Sequence, residues 1–407
     1  MPLPSMVRVS QNFPHSALSD IPGAVRRDLA SSGIADGLRP GARIAVGVGS
    51  RGISNLREVV SSAVDWLREQ GANPFIFPAM GSHGGGTAEG QRKVIQGYGI
   101  DEAICPILSS VEVAPLGLSA NGVDVYIDRT AAESDGILLV NRIKWHTTFE
   151  APVESGLMKM AAIGIGKLYG AQEYHRRIVR EGFYPVILDV AEHVLASGKI
   201  LGGIGILENA RHQTEQITAM RGADIAAQEP LLLDRVKQGM AKLPFPEIDI
   251  LVVDEIGKHV SGVGMDSKVI NRHPYGPQNP WSWLPFIRRV YARSVKGGNA
   301  NGLGMADMIS RRLLDGIDWE STRVNGLTAN NLPGLRTPLV ARDDAEALDI
   351  LADSVGRASE EEVTLVRIRT TLDLEEFEVS ENLLPHATRE LRVLGAPTPL
   401  LSESATA

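Results

Sequence analysis

The chain has 407 residues, room for two or three domains of about 100–200 residues each. Its 43% apolar and 22% charged content is that of an ordinary globular protein. A formal charge of −8, with no basic run longer than a pair such as Arg26-Arg27 or Arg311-Arg312, excludes the basic footprint of a nucleic-acid binder.

The single cysteine, Cys105, excludes an internal disulfide and a multi-cysteine metal cluster. No signal-peptide pattern opens the chain, and no uninterrupted apolar run reaches the roughly 18 residues of a membrane span. The expected location is the cytoplasm.

In chain order, short apolar runs ending in glycine alternate with amphipathic stretches, the pattern of βα units around a parallel sheet. Ile44–Val48 reads as a buried strand followed by the loop Gly49-Ser50-Arg51-Gly52. From Asn55 to Gln70, Val59, Val60, Ala63, Val64 and Leu67 recur at helical spacing, with Ser54 or Asn55 as cap. Pro74–Ala79 is a second strand, and it ends in Gly81-Ser82-His83-Gly84-Gly85-Gly86-Thr87, with a helix starting near Thr87. Further strands are expected at Val123–Ile127, Gly136–Val140, Ile200–Leu207, Ile248–Val253 and Val363–Ile368.

The two prolines in Ala241–Glu247 break a helix expected over Leu231–Met240 and mark a domain boundary. The fold expected is α/β: a large N-terminal α/β domain (1–243) with a mainly parallel sheet, a smaller C-terminal α/β domain (244–394), the active site in the cleft between them, and a flexible tail (395–407). Ligands of open α/β sheets bind beyond the carboxyl ends of the strands, so the loops there are the places to search.

Four such segments carry chemistry. Gly49–Asn55 offers backbone N–H groups at a helix start and the Arg51 guanidinium, a receiver for a carboxylate or phosphate. In the next, three consecutive glycines beside His83 mark a place where another group approaches the backbone. Neither a Walker loop nor GxGxxG fits there. The third packs polar residues behind the Gly136–Val140 strand, from Asn141 through His146 to Glu150, and then places Lys159 between Met158 and Met160 in an apolar helical stretch. Desolvation disfavours an ammonium in such surroundings and leaves a usable amine nucleophile. The fourth holds His175, sixteen residues after Lys159. Glycines 164, 166 and 170 are expected to break the intervening helix and let His175 fold back. Each segment alone also has a bland reading: a tight turn, a snorkelling surface lysine, a capping histidine.

Taken together, Arg51, Gly81-Ser82-His83, His146, Ser155-Gly156-Leu157-Met158-Lys159 and His175 resemble, in order and spacing, the nickel-dependent lactate racemase family of 2-hydroxy-acid racemases and epimerases. The resemblance implies an isomerase with a nickel-pincer nucleotide, a pyridinium-derived mononucleotide held on Lys159 through a thioamide-type link. Two cofactor sulfurs and a ring carbon would bind nickel, with His175 as the remaining ligand. Ser82, Gly84, Gly85 and Gly86 would contact the cofactor. His83 and His146 would act as acid/bases on opposite substrate faces while hydride leaves and returns to Cα. Arg51, with Lys268 from the second domain, would bind the substrate.

The sequence departs from that family in three places. The arginine loop reads Gly-Ser-Arg-Gly. His146 precedes Lys159 by thirteen residues, implying an insertion at Glu150–Glu154. No glutamine stands three residues before Lys268. A second glycine-rich loop, with Asn299, Asn301 and Asp307, is left without a role.

The partner implied is a small hydroxy-acid substrate, with no nucleic acid and no membrane, and homo-oligomerisation is left open. Two other readings stay open at this point: a Schiff-base lyase or aldolase using Lys159, and a non-catalytic protein that binds a nucleotide or organic acid.

Overall fold

A computed structural model describes residues 3–49, 52–81, 83–274, 276–328 and 331–400. Among these, fifteen strands follow in chain order: β1 (Met6–Gln11), β2 (Arg43–Val48), β3 (Asn73–Pro78), β4 (Val113–Leu118), β5 (Asp124–Asp128), β6 (Gly136–Arg142), β7 (Ile200–Glu208) and β8 (Thr214–Arg221). Then come β9 (Glu247–Val253), β10 (Phe286–Ala292), β11 (Met308–Ser310), β12 (Leu339–Ala341), β13 (Leu365–Ile368), β14 (Glu376–Ser380) and β15 (Leu391–Val393). The chain is mixed α/β with mostly parallel sheets, and it divides into two compact units, His15–Met240 and Met1–Pro14 with Ala241–Ala407.

In the unit His15–Met240 the sheet order is β3-β2-β6-β7-β8, parallel except for β8. Alternation along the strands feeds two cores. Ile44, Val46, Leu138 and Val140 face the helices Ile21–Ser31 and Leu56–Glu69, while Ala45, Ile137 and Leu139 face the helical segments between Leu157 and Ala196. Burial on both faces is why these strands read as continuous apolar runs. The expected spacing on Leu56–Glu69 holds, with Val59, Val60, Ala63, Val64 and Leu67 all inaccessible.

In the other unit the order is β12-β11-β10-β9-β13-β14-β1-β15; β12 through β13 are parallel and the remaining pairs antiparallel. Two expectations are corrected here. The first residues pair with the C-terminal unit, since β1 forms ladders with β14 and β15 more than 350 residues away, a pairing that leaves no local signal. Residues 395–399 are exposed, but the segment beyond Gly395 is tied down where Thr398 pairs with Met6 and Leu400 is buried. Residues 401–407 lie outside the described residues. Among the described residues, no helix is long and apolar enough to cross a membrane.

Candidate active site

In the sheet β3-β2-β6-β7-β8 the chain leaves β2 toward β3 on one side and returns at β6 on the other. The loops after β2 and β6 therefore diverge and leave a crevice at their carboxyl ends, the usual ligand position in an open α/β sheet. A cavity of about 170 Å³ lies there, lined among others by Gly49, His83, Asn141, Lys144, Ser155 and Lys159. Among the described residues, its walls come from the unit His15–Met240.

Lys159 closes a short helical turn, Leu157–Lys159, that continues as a π-helical turn over Met160–Gly164. Wider turns of this kind recur at functional sites because they re-aim side chains. Burial pushes the Lys159 ammonium down from its ordinary 10.5 to about 8, against the opposing pull of the Glu154 carboxylate. Among the described residues, the amine makes no hydrogen bond. A partly neutral amine facing a cavity is a nucleophile in waiting.

The turn bearing Lys159 is held from beneath by Glu229, which is fully buried and accepts the Met158 N–H at 2.9 Å. A Cβ on Gly156 would stand 2.3 Å from the same carboxylate, so only glycine admits Glu229 to the helix start. Burial raises the Glu229 carboxyl from 4.5 to about 7, partly offset by the backbone donors. The folded state thus holds a proton that the unfolded chain releases between pH 4.5 and 7, so Glu229's contribution to stability is lost as pH rises through that window. The difference amounts to about 3 kcal/mol. Glu229→Gln, neutral throughout and still able to accept from Met158, should therefore gain stability on the parent as pH climbs from 4.5 to 7.5. Chemical denaturation at several pH values reads this, and parallel curves for the two proteins would refute it.

The helix Lys167–Glu181 carries His175. The break expected from the glycines falls at Ile165–Gly166; Gly170 lies inside the helix, where a Cβ would press on the Tyr174 ring at 3.1 Å. His175 Nδ1 stands 2.6 Å from the Ala171 carbonyl oxygen. A carbonyl only accepts, so Nδ1 carries the proton and Nε2 keeps its lone pair, the arrangement of a metal-ligating histidine. Burial, the Lys159 charge also contributing, lowers the His175 pKa and favours this neutral form, against the pull of the Ala171 carbonyl.

His146 does not line the cavity. Its Nδ1 accepts the Thr148 N–H at 3.1 Å, which places the proton on Nε2. Its ring packs on Phe149 at 4.4 Å and Phe183 at 5.6 Å, and Phe183 also meets His175 at 6.4 Å, edge to face. The residues after His146 form a loop closed by the Lys144–Ser155 backbone pair. Inside that loop, the buried Glu154 accepts the His146 N–H at 2.5 Å and pairs with Lys237 at 2.6 Å.

Other expected residues fall elsewhere. Arg51 and Ser82 lie outside the described residues. Gly84, Gly85 and Gly86 have φ of +60°, +67° and +68°, but they do not line the cavity. Gly84 and Gly86 leave no room for a Cβ against Gly90–Gln91 and Leu168. Lys268 belongs to the other unit, fully buried with its ammonium 3.7 Å above the Trp281 ring. Asn299 and Asn301 are buried in that unit too.

Arg142 and Lys144 also line the cavity and had no role assigned from sequence, although they stand in the polar run after the β6 apolar core. Arg142 pairs with Glu208 at 2.6 Å and donates to the Gly52 carbonyl at 2.8 Å, holding the loop after β2.

Among the described residues, no three His, Cys, Asp or Glu side chains converge as a metal site. His175, unlike Lys159, does not line the cavity, so a metal held there would take its other donors from a bound group. No protein-family model matches the chain, and no curated protein matches it in sequence. The lactate racemase apoprotein from Thermoanaerobacterium thermosaccharolyticum matches it in structure, with a TM-score of 0.54 at 13% identity over 90% of this chain and all of that one. At that identity the likeness establishes a lactate-racemase-like fold, and the chemistry rests on the residues.

Proposed function

We propose that the chain is an isomerase that racemises or epimerises a small 2-hydroxy acid, with a nickel-pincer nucleotide tethered to Lys159. The observation that carries the reading is a hydrogen-bond-free lysine amine, lowered to about 8, in the switch-point cavity it shares with His83. When bound, that group would supply a hydride acceptor and donor for the substrate's C2. Lys159 would hold its organic part and His175 Nε2 its nickel, a pairing suited to Ni(II) with soft sulfur donors.

The remaining work belongs to the chain. His83 would take the hydroxyl proton of one stereoisomer and His146 that of the other, each returning it in the reverse direction. Imidazoles near neutrality serve both directions. Lys144 would join Arg51 in holding the substrate carboxylate. The rival Schiff-base reading uses the same amine, and borohydride trapping with a carbonyl substrate in metal-free protein distinguishes it.

The reading is tested on protein isolated from its native host. Intact mass should show a covalent adduct that maps to Lys159, and metal analysis should show nickel; absence of both defeats it. His175→Ala should keep the adduct but lower nickel affinity by at least about tenfold, since even supporting residues of metal ligands cost 10–100-fold. Unchanged nickel per adduct would assign the ligand to another residue.

A further inference from the structure

Lys167 breaks two rules at once. It is a non-glycine residue at φ +57°, in the left-handed region that L side chains avoid. It is also a fully buried lysine, and burial pulls its ammonium below the ordinary lysine range. Strain and desolvation concentrated at one residue persist only where the surroundings impose them, and such outliers cluster at functional sites.

The Lys167 ammonium donates to two acceptors, the Pro78 carbonyl at the end of β3 at 2.8 Å and Gln91 Oε1 at 2.5 Å, and forms an ion pair with Asp128 at the end of β5 at 3.5 Å. Gln91 is itself fully buried. With Oε1 fixed on the ammonium, its amide nitrogen must face the other way, where it donates to the Met80 carbonyl at 3.0 Å and the Gly81 carbonyl at 2.9 Å. Those two residues lead directly into His83, and all three line the cavity. Lys167 follows Lys159 by eight residues and opens the helix that begins after the break at Ile165–Gly166. One ammonium thus links the segment bearing Lys159 to the loop bearing His83.

We propose that Lys167 is a positioning residue that, through the amide of Gln91, fixes the His83 loop against the Lys159 segment. Its importance for catalysis rests on the reading of His83 as an acid/base; the mechanical role does not. The ammonium orients the amide, the amide grips the loop backbone, and the loop sets where the imidazole meets the cavity.

Two variants test this. Lys167→Met removes the ammonium, at the risk of unfolding because Asp128 is left buried without its partner. Gln91→Glu keeps an oxygen on the ammonium but turns an acceptor toward the Met80 and Gly81 carbonyls. In protein without cofactor, hydrogen exchange of the segment 79–86 should quicken by at least about tenfold in Gln91→Glu, with the helix Ile225–Gly239 at the parental rate. In loaded enzyme the adduct on Lys159 should persist, while keto-acid formation falls by at least about tenfold only for the stereoisomer that His83 serves.

A purely structural role would depress both half-reactions together. Parental exchange in 79–86, or equal loss of both half-reactions, overturns the assignment. The exchange measurement needs neither cofactor nor substrate, so failure of the racemase reading is distinguishable from failure of this one.

Discussion

Lys159→Ala should carry no covalent adduct and show no turnover above background, while remaining at least as stable as the cofactor-free parent at pH 7. Loss of activity follows from loss of the tether: the cavity offers no second unengaged amine among the described residues that the turn from Leu157 could present in its place.

The folded-state pKa of Lys159 lies at about 8, against 10.5 in an exposed chain, so the unfolded state binds more protons between those values. The parent's stability therefore rises from pH 8 to 10.5, and below pH 8 it bears a desolvation cost of about 3 kcal/mol. Alanine removes that cost along with some packing. The variant's advantage should shrink as pH rises above 8, measured by chemical denaturation of both proteins. An adduct surviving on the alanine protein would remove the anchoring role.

His83→Gln and His146→Gln should each slow interconversion equally in both directions, because the equilibrium between stereoisomers is fixed by thermodynamics. The loss of one general acid/base typically costs about 10²–10⁴-fold. The half-reactions should differ. The His83 variant should still form keto acid from one stereoisomer, and the His146 variant from the other. Acid quenching of each variant with each pure stereoisomer, followed by assay of the keto acid, reads this directly. His146 packs on Phe149 and Phe183 and does not line the cavity, so its test is the more exacting. If both variants lose the same half-reaction, the two histidines serve one face and the two-base assignment fails.

What was legible in the sequence follows from burial. β2, β3, β6 and β7 are buried along most of their length, so they appear as apolar runs, and β9 does so apart from its buried Asp249. β10 escaped because Arg288 and Arg289 interrupt it. Arg288 is paired with Glu247 and with the buried Asp249, which Arg357 also holds, partners that no local pattern announces. β1 and β15 escaped for the same reason of distance.

At the site, Lys159 and His83 stood out as ionisable groups at the ends of apolar segments. Glu229, Gln91 and Lys167 did not. Each reads as an ordinary helix residue until the fold brings Glu229 to the Met158 N–H and Gln91 to the Lys167 ammonium. Of the three consecutive glycines 84–86, Gly84 and Gly86 meet the chain's own backbone and side chains, while Gly85 faces open space.

In the proposed reaction, inversion at C2 proceeds by hydride transfer with no exchange of that hydrogen with water. The most direct measurement offers protein from its native host a single enantiomer of a 2-deuterated hydroxy acid, with lactate first in a panel of small 2-hydroxy acids. Both enantiomers are then recovered for isotope analysis. The expected result is inverted product with deuterium still on C2. Inversion accompanied by protium from solvent at C2 would contradict it, because that outcome requires a proton to leave the carbon.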